Sequence, residues 1–356
     1  MANLSSPLTL RSGATLKNRF VLAPLTNLQS HPDGVLSDDE FRWLTKRAEG
    51  GFALTMTCAA SVQESGVGFP GQLGFHDDKH LPGLTRLATA IKVKGSQAVA
   101  QLHHGGLRAM TKPKAPSADE KLKAEAMTLD EIRESRDCFI AAAKRAERAG
   151  FDGVELHGAH GYLICSFLSA ELNRRDDAYG GDPERRALFL NECIDGVRAA
   201  TKPGFTLGVR LSPERWGLDV LEIRDVAQRL MREARIDFLD MSLWDVRKEP
   251  NDEKLQGRTL ASYFAELERG DVRLGAAGKI MSAEDARDVI AAGYDFPVLG
   301  RAAILHHDFP KRAAADPNFT AIATPVSEAY LREEGLGPAF VTYMRTWKGF
   351  VEEASA

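Results

Sequence analysis

Two histidines and a tyrosine, interleaved with glycines, close the run Phe151-Asp-Gly-Val-Glu-Leu-His157-Gly-Ala-His160-Gly-Tyr162. Each of the three can donate a hydrogen bond near neutral pH, and the phenol can also part with a proton. Gathered where a strand gives way to a loop, they suit a site that holds an oxygen atom and delivers a proton. On a helix, His-x-x-His would read as a pair of metal ligands, but Gly158 and Gly161 make a helix there costly, by about 1 kcal/mol each. His157, His160 and Tyr162 are therefore expected to splay from a strand end into a pocket. No third ligand stands at a spacing that would complete a metal site, so no metal is expected.

The elements that must position this triplet are set by the rest of the chain. Its 356 residues, 44% hydrophobic and 27% charged, suffice for one large α/β domain or two smaller ones. A formal charge of −4 gives no electrostatic footprint for nucleic acid or an anionic membrane surface. Met1-Ala-Asn-Leu-Ser-Ser-Pro-Leu-Thr-Leu has neither a positive n-region nor an apolar h-region, and no apolar stretch approaches the ~20 residues of a membrane span. A cytoplasmic protein is expected, with Cys58, Cys138, Cys165 and Cys193 as reduced, buried thiols, too scattered for zinc or an iron–sulfur cluster.

Eight apolar, β-rich runs alternate with amphipathic segments: Phe20–Ala23, Phe52–Ala59, Gln97–His103, Gly153–His157, Thr206–Leu211, Phe238–Leu243, Val272–Gly275 and Phe296–Gly300. Ser37 opens the first helix, Thr128 and Glu131 form a capping box for one running to Gly150, and Ser282 with Asp285 starts another that Gly293 ends. Eight βα units predict an α/β fold, a single (β/α)8 TIM barrel. Residues 1–324 form the barrel and 325–356 a helical tail whose Tyr330, Phe340, Tyr343, Trp347 and Phe350 dock on the barrel or on another subunit. The polar, Pro-rich stretch from Arg108 to Met127 reads as an excursion over the barrel mouth after the third strand, either a lid or a solvated loop.

In such a barrel the chemistry lies at the carboxyl ends of the strands. The turns Ala276-Ala-Gly278-Lys279-Ile280 and Leu299-Gly300-Arg301 stand where barrels commonly bind phosphate, with backbone amides and Arg301 facing an anion. Arg210 and Gln101 could meet the polar edge of a flat heterocycle such as a flavin, while Pro24 and Ala59 offer small surfaces for its face. Arg210 reads equally as one half of a barrel-interior salt bridge with a residue such as Glu155. Trp244 either lines the substrate pocket or packs at the rim. Gly66-Val-Gly68-Phe-Pro-Gly71 matches a dinucleotide fingerprint as a string but not in context, because Pro70 stands where a helix should begin.

Lys17-Asn-Arg-Phe, Ala23-Pro-Leu-Thr26, Gln101-Leu-His-His104-Gly-Gly, Gly153 to Leu163, Asn173 to Gly181, Val209-Arg210-Leu-Ser, Gly278-Lys-Ile and Leu299-Gly300-Arg301 together resemble the Old Yellow Enzyme family, from about Leu16 to about Pro310. The resemblance implies tightly bound, non-covalent FMN, surrounded by Pro24, Leu25, Thr26, Ala59, Gln101 and Arg210, with its phosphate at Gly278, Lys279, Gly300 and Arg301. It implies two half-reactions, in which NADPH or NADH reduces the flavin and an electron-poor alkene reoxidises it. His157 and His160 would bind the activating oxygen of an α,β-unsaturated carbonyl compound, and Tyr162 would act as general acid. The pairs His103-His104 and His306-His307 read as structural, His104 being the one that matches the family pattern, and Asn173, Arg175, Asp177 and Tyr179 as organisers of a loop.

Departures from the family pattern stand at Thr26, where one branch has a cysteine, at Leu28, where it has a substrate-binding tyrosine, and at Arg185, where asparagine is usual. The ending Tyr343-Met-Arg345-Thr-Trp347 is similar to one through which that branch inserts an arginine into a neighbouring subunit, which implies a homodimer with Arg345 as a substrate-binding residue. The alternatives are a dienoyl-CoA reductase-like enzyme, whose iron–sulfur cysteines are not found, and a barrel that binds flavin without turnover.

Overall fold

The computed structural model describes residues 3–353; the outer ends of the N-terminal segment and of the tail, 1–2 and 354–356, lie outside it. Eight parallel strands close into a barrel in chain order: β1 (Val21–Leu22), β2 (Leu54–Ser61), β3 (Gln97–His103), β4 (Gly153–Gly158), β5 (Thr206–Leu211), β6 (Phe238–Ser242), β7 (Arg273–Ala277) and β8 (Phe296–Leu299). The helices that cover the ring are α1 (Asp38–Glu49), α2 (Leu81–Val93), α3 (Leu129–Arg148), α4 (Leu188–Ala200), α5 (Val220–Glu233), α6 (Leu260–Ala265), α7 (Ala283–Ala291) and α8 (Arg301–Leu305). Their starts are chemically marked: Ser37 caps α1 by accepting from the Glu40 N–H, and Thr128 with Glu131 and Ser282 with Asp285 close capping boxes on α3 and α7.

β3 and β5 run as the sequence predicts, and the departures elsewhere have local causes. β1 contributes only Val21 and Leu22, paired with Val298 and Leu299 of β8, because Pro24 ends the ladder one residue after Ala23. β2 is displaced two residues toward the carboxyl end, where an irregularity between Met56 and Ala59 shifts its register on β3. β7 continues through Ala276 and Ala277, which pair with Pro297 and Val298 although alanine has little strand preference of its own.

Two apolar layers hold the ring. One fills the space between strands and helices; the other fills the barrel itself with Val21, Leu54, Met56, Val99, Phe238, Phe296 and Val298, capped below by Leu8, Leu10 and Leu16 of an N-terminal hairpin. Phe238 and Phe296 meet edge to face at 5.9 Å, in space left by Gly208 and Gly275, where a Cβ would fall 2.1 Å from the respective rings. Toward the carboxyl ends the inward face turns polar, with Gln101, Glu155, Arg210 and Asp240 all buried.

The 108–127 excursion is tied down rather than free. Lys114–Ala115 pairs with Glu125–Ala126, Arg174 donates to the Ala118 carbonyl (2.6 Å), and Arg175 donates to those of Pro116 (2.9 Å) and Met127 (2.6 Å). Asp177 holds Arg175 in place at 2.6 Å. The tail docks on its own barrel near α1: the Gly337 N–H donates to Gln29 (2.7 Å), and Trp43 meets Phe340 edge-on at 4.8 Å. Buried Arg47 joins tail and barrel by donating to the carbonyls of Glu334 (2.5 Å) and Ala303 (3.1 Å). Among the described residues no helix is long and apolar enough to cross a membrane.

Candidate active site

A cavity of about 490 Å³ opens at the carboxyl ends of the strands, within the ~300–1,000 Å³ range of small-molecule and cofactor sites. Pro24, Leu25, Arg210, Gly278, Lys279, Gly300 and Arg301 line it, and so do His160 and Trp244. Ala59, Gln101 and Thr26 are not among its lining residues: Ala59 and Gln101 are buried register partners on β2 and β3, and half-buried Thr26 follows Leu25 in the chain. The sequence did not place Ser242, Tyr343 and Trp347 here, yet they also face the cavity. Arg345 does not line it; its side chain pairs with Glu328 of the same chain.

The protons of the two histidines can be assigned from their partners. The Ala159 N–H donates to His157 Nδ1 (3.2 Å), so the proton of His157 sits on Nε2, which faces His160 Nδ1 at 3.3 Å. His160 in turn carries its proton on Nε2, 2.8 Å from the Ser242 hydroxyl. Burial, then its neighbours His160 and Arg210, holds His157 well below the usual imidazole range. Burial, Arg210 and Arg108 bring His160 down to about 3. Both rings are therefore neutral donors at pH 7. Tyr162 packs against His157 with ring centroids 5.2 Å apart, and Trp216 stands edge-on to His160 at 5.8 Å.

Below them lies a layer of charged and amide groups ordered by strand register. Arg210 lies opposite His157 on one side and Asp240 on the other, whereas Glu155 sits one step lower, opposite Gln101 and Gly208. The salt bridge of Arg210 therefore forms with Asp240 (3.2 Å) and not with Glu155, which accepts from Gln101 Nε2 at 2.7 Å. The contact with Asp240 lacks hydrogen-bond alignment, and Gln101 Oε1 has no partner although it is buried. Burial, then the charge of Asp240, pushes Glu155 up to about 8; burial also raises Asp240, against the pull of Arg210.

These features fit a flavin with a phosphate. A buried amide oxygen without a partner, on Gln101, and the cavity-lining Arg210 match the mixed polar edge of such a ring. Gly278 has φ +156°, and a Cβ there would lie 2.8 Å from the Asp245 nitrogen, so backbone alone can stand at that corner. A Cβ on Gly300 would have Leu25 and Ala23, both cavity residues, as its nearest neighbours, so its omission keeps that corner open. Arg301 forms no ion pair among the described residues and lies 5.3 Å over the Trp347 ring, leaving its charge free for an anion. Lys279 is held by Asp245 at 3.0 Å.

Backbone strain marks the same region. Of the eight non-glycine residues with positive φ among the described residues, Leu28, Lys123, His160, Arg215, Trp216, Trp244 and Lys279 follow barrel strands at this end, and Ala234, at the end of α5, does not. Trp244 is 59% exposed and carries the Arg215 guanidinium 4.4 Å from its ring, a rim position open to the cavity.

Comparison with known proteins agrees with this geometry. The model of the NADH:flavin oxidoreductase / NADH oxidase family matches residues 3–318. The chain is 36% identical over 333 residues to a probable NADH-dependent flavin oxidoreductase, YqiG, of Bacillus subtilis, covering 89% of this chain and 86% of that one. It is 35% identical to an NADPH dehydrogenase of Bacillus pumilus, covering 88% and 94%. The solved Old Yellow Enzyme homologue of Zymomonas mobilis superposes with a TM-score of 0.79 at 26% identity, covering 96% and 99%. A closed eight-strand barrel with a cavity at its carboxyl end, matched along nearly its whole length, places the chain in the NADH:flavin oxidoreductase family of Old Yellow Enzyme-like proteins, FMN enzymes reduced by NAD(P)H.

Proposed function

We propose that this enzyme reduces the activated C=C bond of α,β-unsaturated carbonyl compounds by a ping-pong mechanism. The observation that carries the reading is a pair of neutral imidazole donors, His160 lining the cavity and His157 packed behind it against Tyr162. FMN supplies the two-electron carrier that accepts hydride from NAD(P)H and passes it to the substrate.

The residues of the chain bind the oxygen and move the proton. His157 Nε2 and His160 Nδ1 face each other at 3.3 Å, so a carbonyl oxygen arriving between them can receive two hydrogen bonds only if His160 carries its proton on Nδ1. Ser242 permits this, since its hydroxyl can stop accepting from His160 Nε2 and donate to it instead. Two neutral donors polarise the enone and stabilise the developing enolate without protonating its oxygen. The β-carbon receives hydride, and Tyr162 protonates the α-carbon as general acid. The tail supports a further element: Tyr343 and Trp347 already reach the cavity, and a homodimer in which Arg345 leaves Glu328 for the neighbouring site extends the reading.

The test is a visible spectrum of the purified protein under anaerobic conditions, with NADPH and then cyclohexenone. The flavin band should bleach with the nicotinamide and return with the enone. Bleaching with no return for any activated alkene would refute the proposal.

A further inference from the structure

His104 behaves as a structural histidine, its Nδ1 accepting from the Gly106 N–H at 3.1 Å. His103 does not. It stands on the inward face of β3, fully buried, in contact with both Tyr162 and His157.

The proton of His103 is located by Gln72. The Oε1 of Gln72 accepts from the Gly68 N–H (2.8 Å), and its Nε2 donates one hydrogen to the Ala59 carbonyl (2.6 Å) and points the other at His103 Nδ1 (2.9 Å). An amide nitrogen only donates, so His103 Nδ1 is the bare nitrogen and the single proton lies on Nε2. Burial, with His157, His104 and Arg108 nearby, keeps the ring well below the usual imidazole range, so no second proton is present. Nε2 is buried and has no nitrogen or oxygen partner among the described residues.

The imidazole ring itself packs against the Tyr162 ring, with centroids 4.3 Å apart and planes at 77°. The Tyr162 hydroxyl makes no hydrogen bond to protein among the described residues. Its neighbours all act on the ring: His103, His157 at 5.2 Å, and the Arg108 guanidinium, also at 5.2 Å. The protein groups placed to stabilise a phenolate are therefore these three around the ring.

We propose that His103 is a positioning residue for Tyr162: with its tautomer fixed by Gln72, it aims an N–H at the phenol ring and, with Arg108, stabilises the tyrosinate left after proton delivery. The inference rests on the alkene-reductase reading. In that step the O–H bond of Tyr162 breaks, a C–H bond forms at the substrate α-carbon, the electron pair stays on the phenolate oxygen, and solvent later returns the proton. The fingerprint-like string also acquires a reason. A Cβ on Gly66 would fall 2.3 Å from His104, and one on Gly68 3.1 Å from His103, so the loop carrying Gln72 packs on this pair through glycine.

The FMN-loaded enzyme, labelled with nitrogen-15 in its imidazoles, gives a direct readout. The signal that disappears in His103→Gln should show the Nε2–H tautomer, with its proton moved upfield by the Tyr162 ring and returned downfield in Tyr162→Leu. In stopped-flow experiments His103→Phe should slow reoxidation by cyclohexenone about fivefold more than reduction by NADPH, with a larger solvent isotope effect. An Nδ1–H tautomer, a proton unmoved in Tyr162→Leu, or equal effects on the two half-reactions would overturn the proposal. The spectrum decides even if His103→Phe does not fold. It needs no alkene turnover, so a wild-type enzyme that no alkene reoxidises would count against the reductase reading alone.

Discussion

Gly278→Ala adds one methyl group and removes no functional atom, so it isolates the role of bare backbone at the corner proposed for the phosphate. The residue has φ +156°, a conformation worth about 1–3 kcal/mol against any side chain. The new Cβ would lie 2.8 Å from the Asp245 nitrogen and 2.9 Å from the Trp244 carbonyl carbon, forcing that peptide to move. Overpacking of this kind costs about 1–3 kcal/mol more. A combined loss of about 2–6 kcal/mol corresponds to about 3–8 °C in the melting temperature of a chain this size. Because Trp244 lines the same cavity, the Kd for FMN should rise at least about tenfold, or 1.4 kcal/mol. Gly257→Ala is the control: it has φ +98° but nothing within 4 Å of the added methyl, so it carries the strain without the clash. Calorimetry of both apo-proteins and fluorescence titration with FMN make the comparison. If Gly278→Ala melts with the control and binds FMN like the wild type, the assignment of this corner to the phosphate is wrong.

Tyr162→Phe keeps the ring contacts with His103 and His157 but loses the proton; reduction by NADPH should persist while reoxidation by enone falls at least about 100-fold in stopped flow. Equal slowing of both half-reactions would remove Tyr162 as the acid. Arg301→Ala should raise the FMN Kd about tenfold or more, measured by flavin released on ultrafiltration, with chemistry restored at saturating FMN. Glu155 gives a pH prediction. Its folded-state value is raised to about 8 from 4.5, so the folded protein binds the extra proton and loses that stability as pH rises through this interval. Glu155→Gln, which retains an oxygen for Gln101, should therefore gain in apo-protein melting temperature relative to wild type between pH 5 and 9; a constant difference would refute the assignment.

The barrel was legible because its strands carry two independent patterns, β-rich runs of the right length and caps on the helices between them. The three groups at and after the end of β4 were legible for a related reason: glycine spacing argued against a helix, and a barrel fixes which strand ends meet. Register was not legible. Glu155 and Asp240 are equally plausible partners for Arg210 in sequence, and only the stagger between neighbouring strands puts Asp240 level with it. His103 and His104 are adjacent in sequence, yet a strand sends them to opposite sides, one to Tyr162 and one to the following turn. The tail aromatics announced docking without a place, since a short helix can lay its apolar face on many surfaces. That Tyr343 and Trp347 reach the cavity follows from contacts made elsewhere, at Arg47 and Gln29.

The cavity also straddles the seam of the barrel. Pro24 and Leu25 continue from β1, Gly300 and Arg301 continue from β8, and these strands share only two paired residues on each side together with the Ala23 N–H to Leu299 carbonyl bond. This is the closure of greatest separation along the chain and among the thinnest in hydrogen bonds. A cofactor lying across it acts as a clasp: its binding energy is stored where the ring would otherwise part first. Amide exchange at Ala23 and Leu299 should thus be the fastest of the barrel strands in the apo-protein and slow the most on loading, so that retained flavin reports whether the ring has shut.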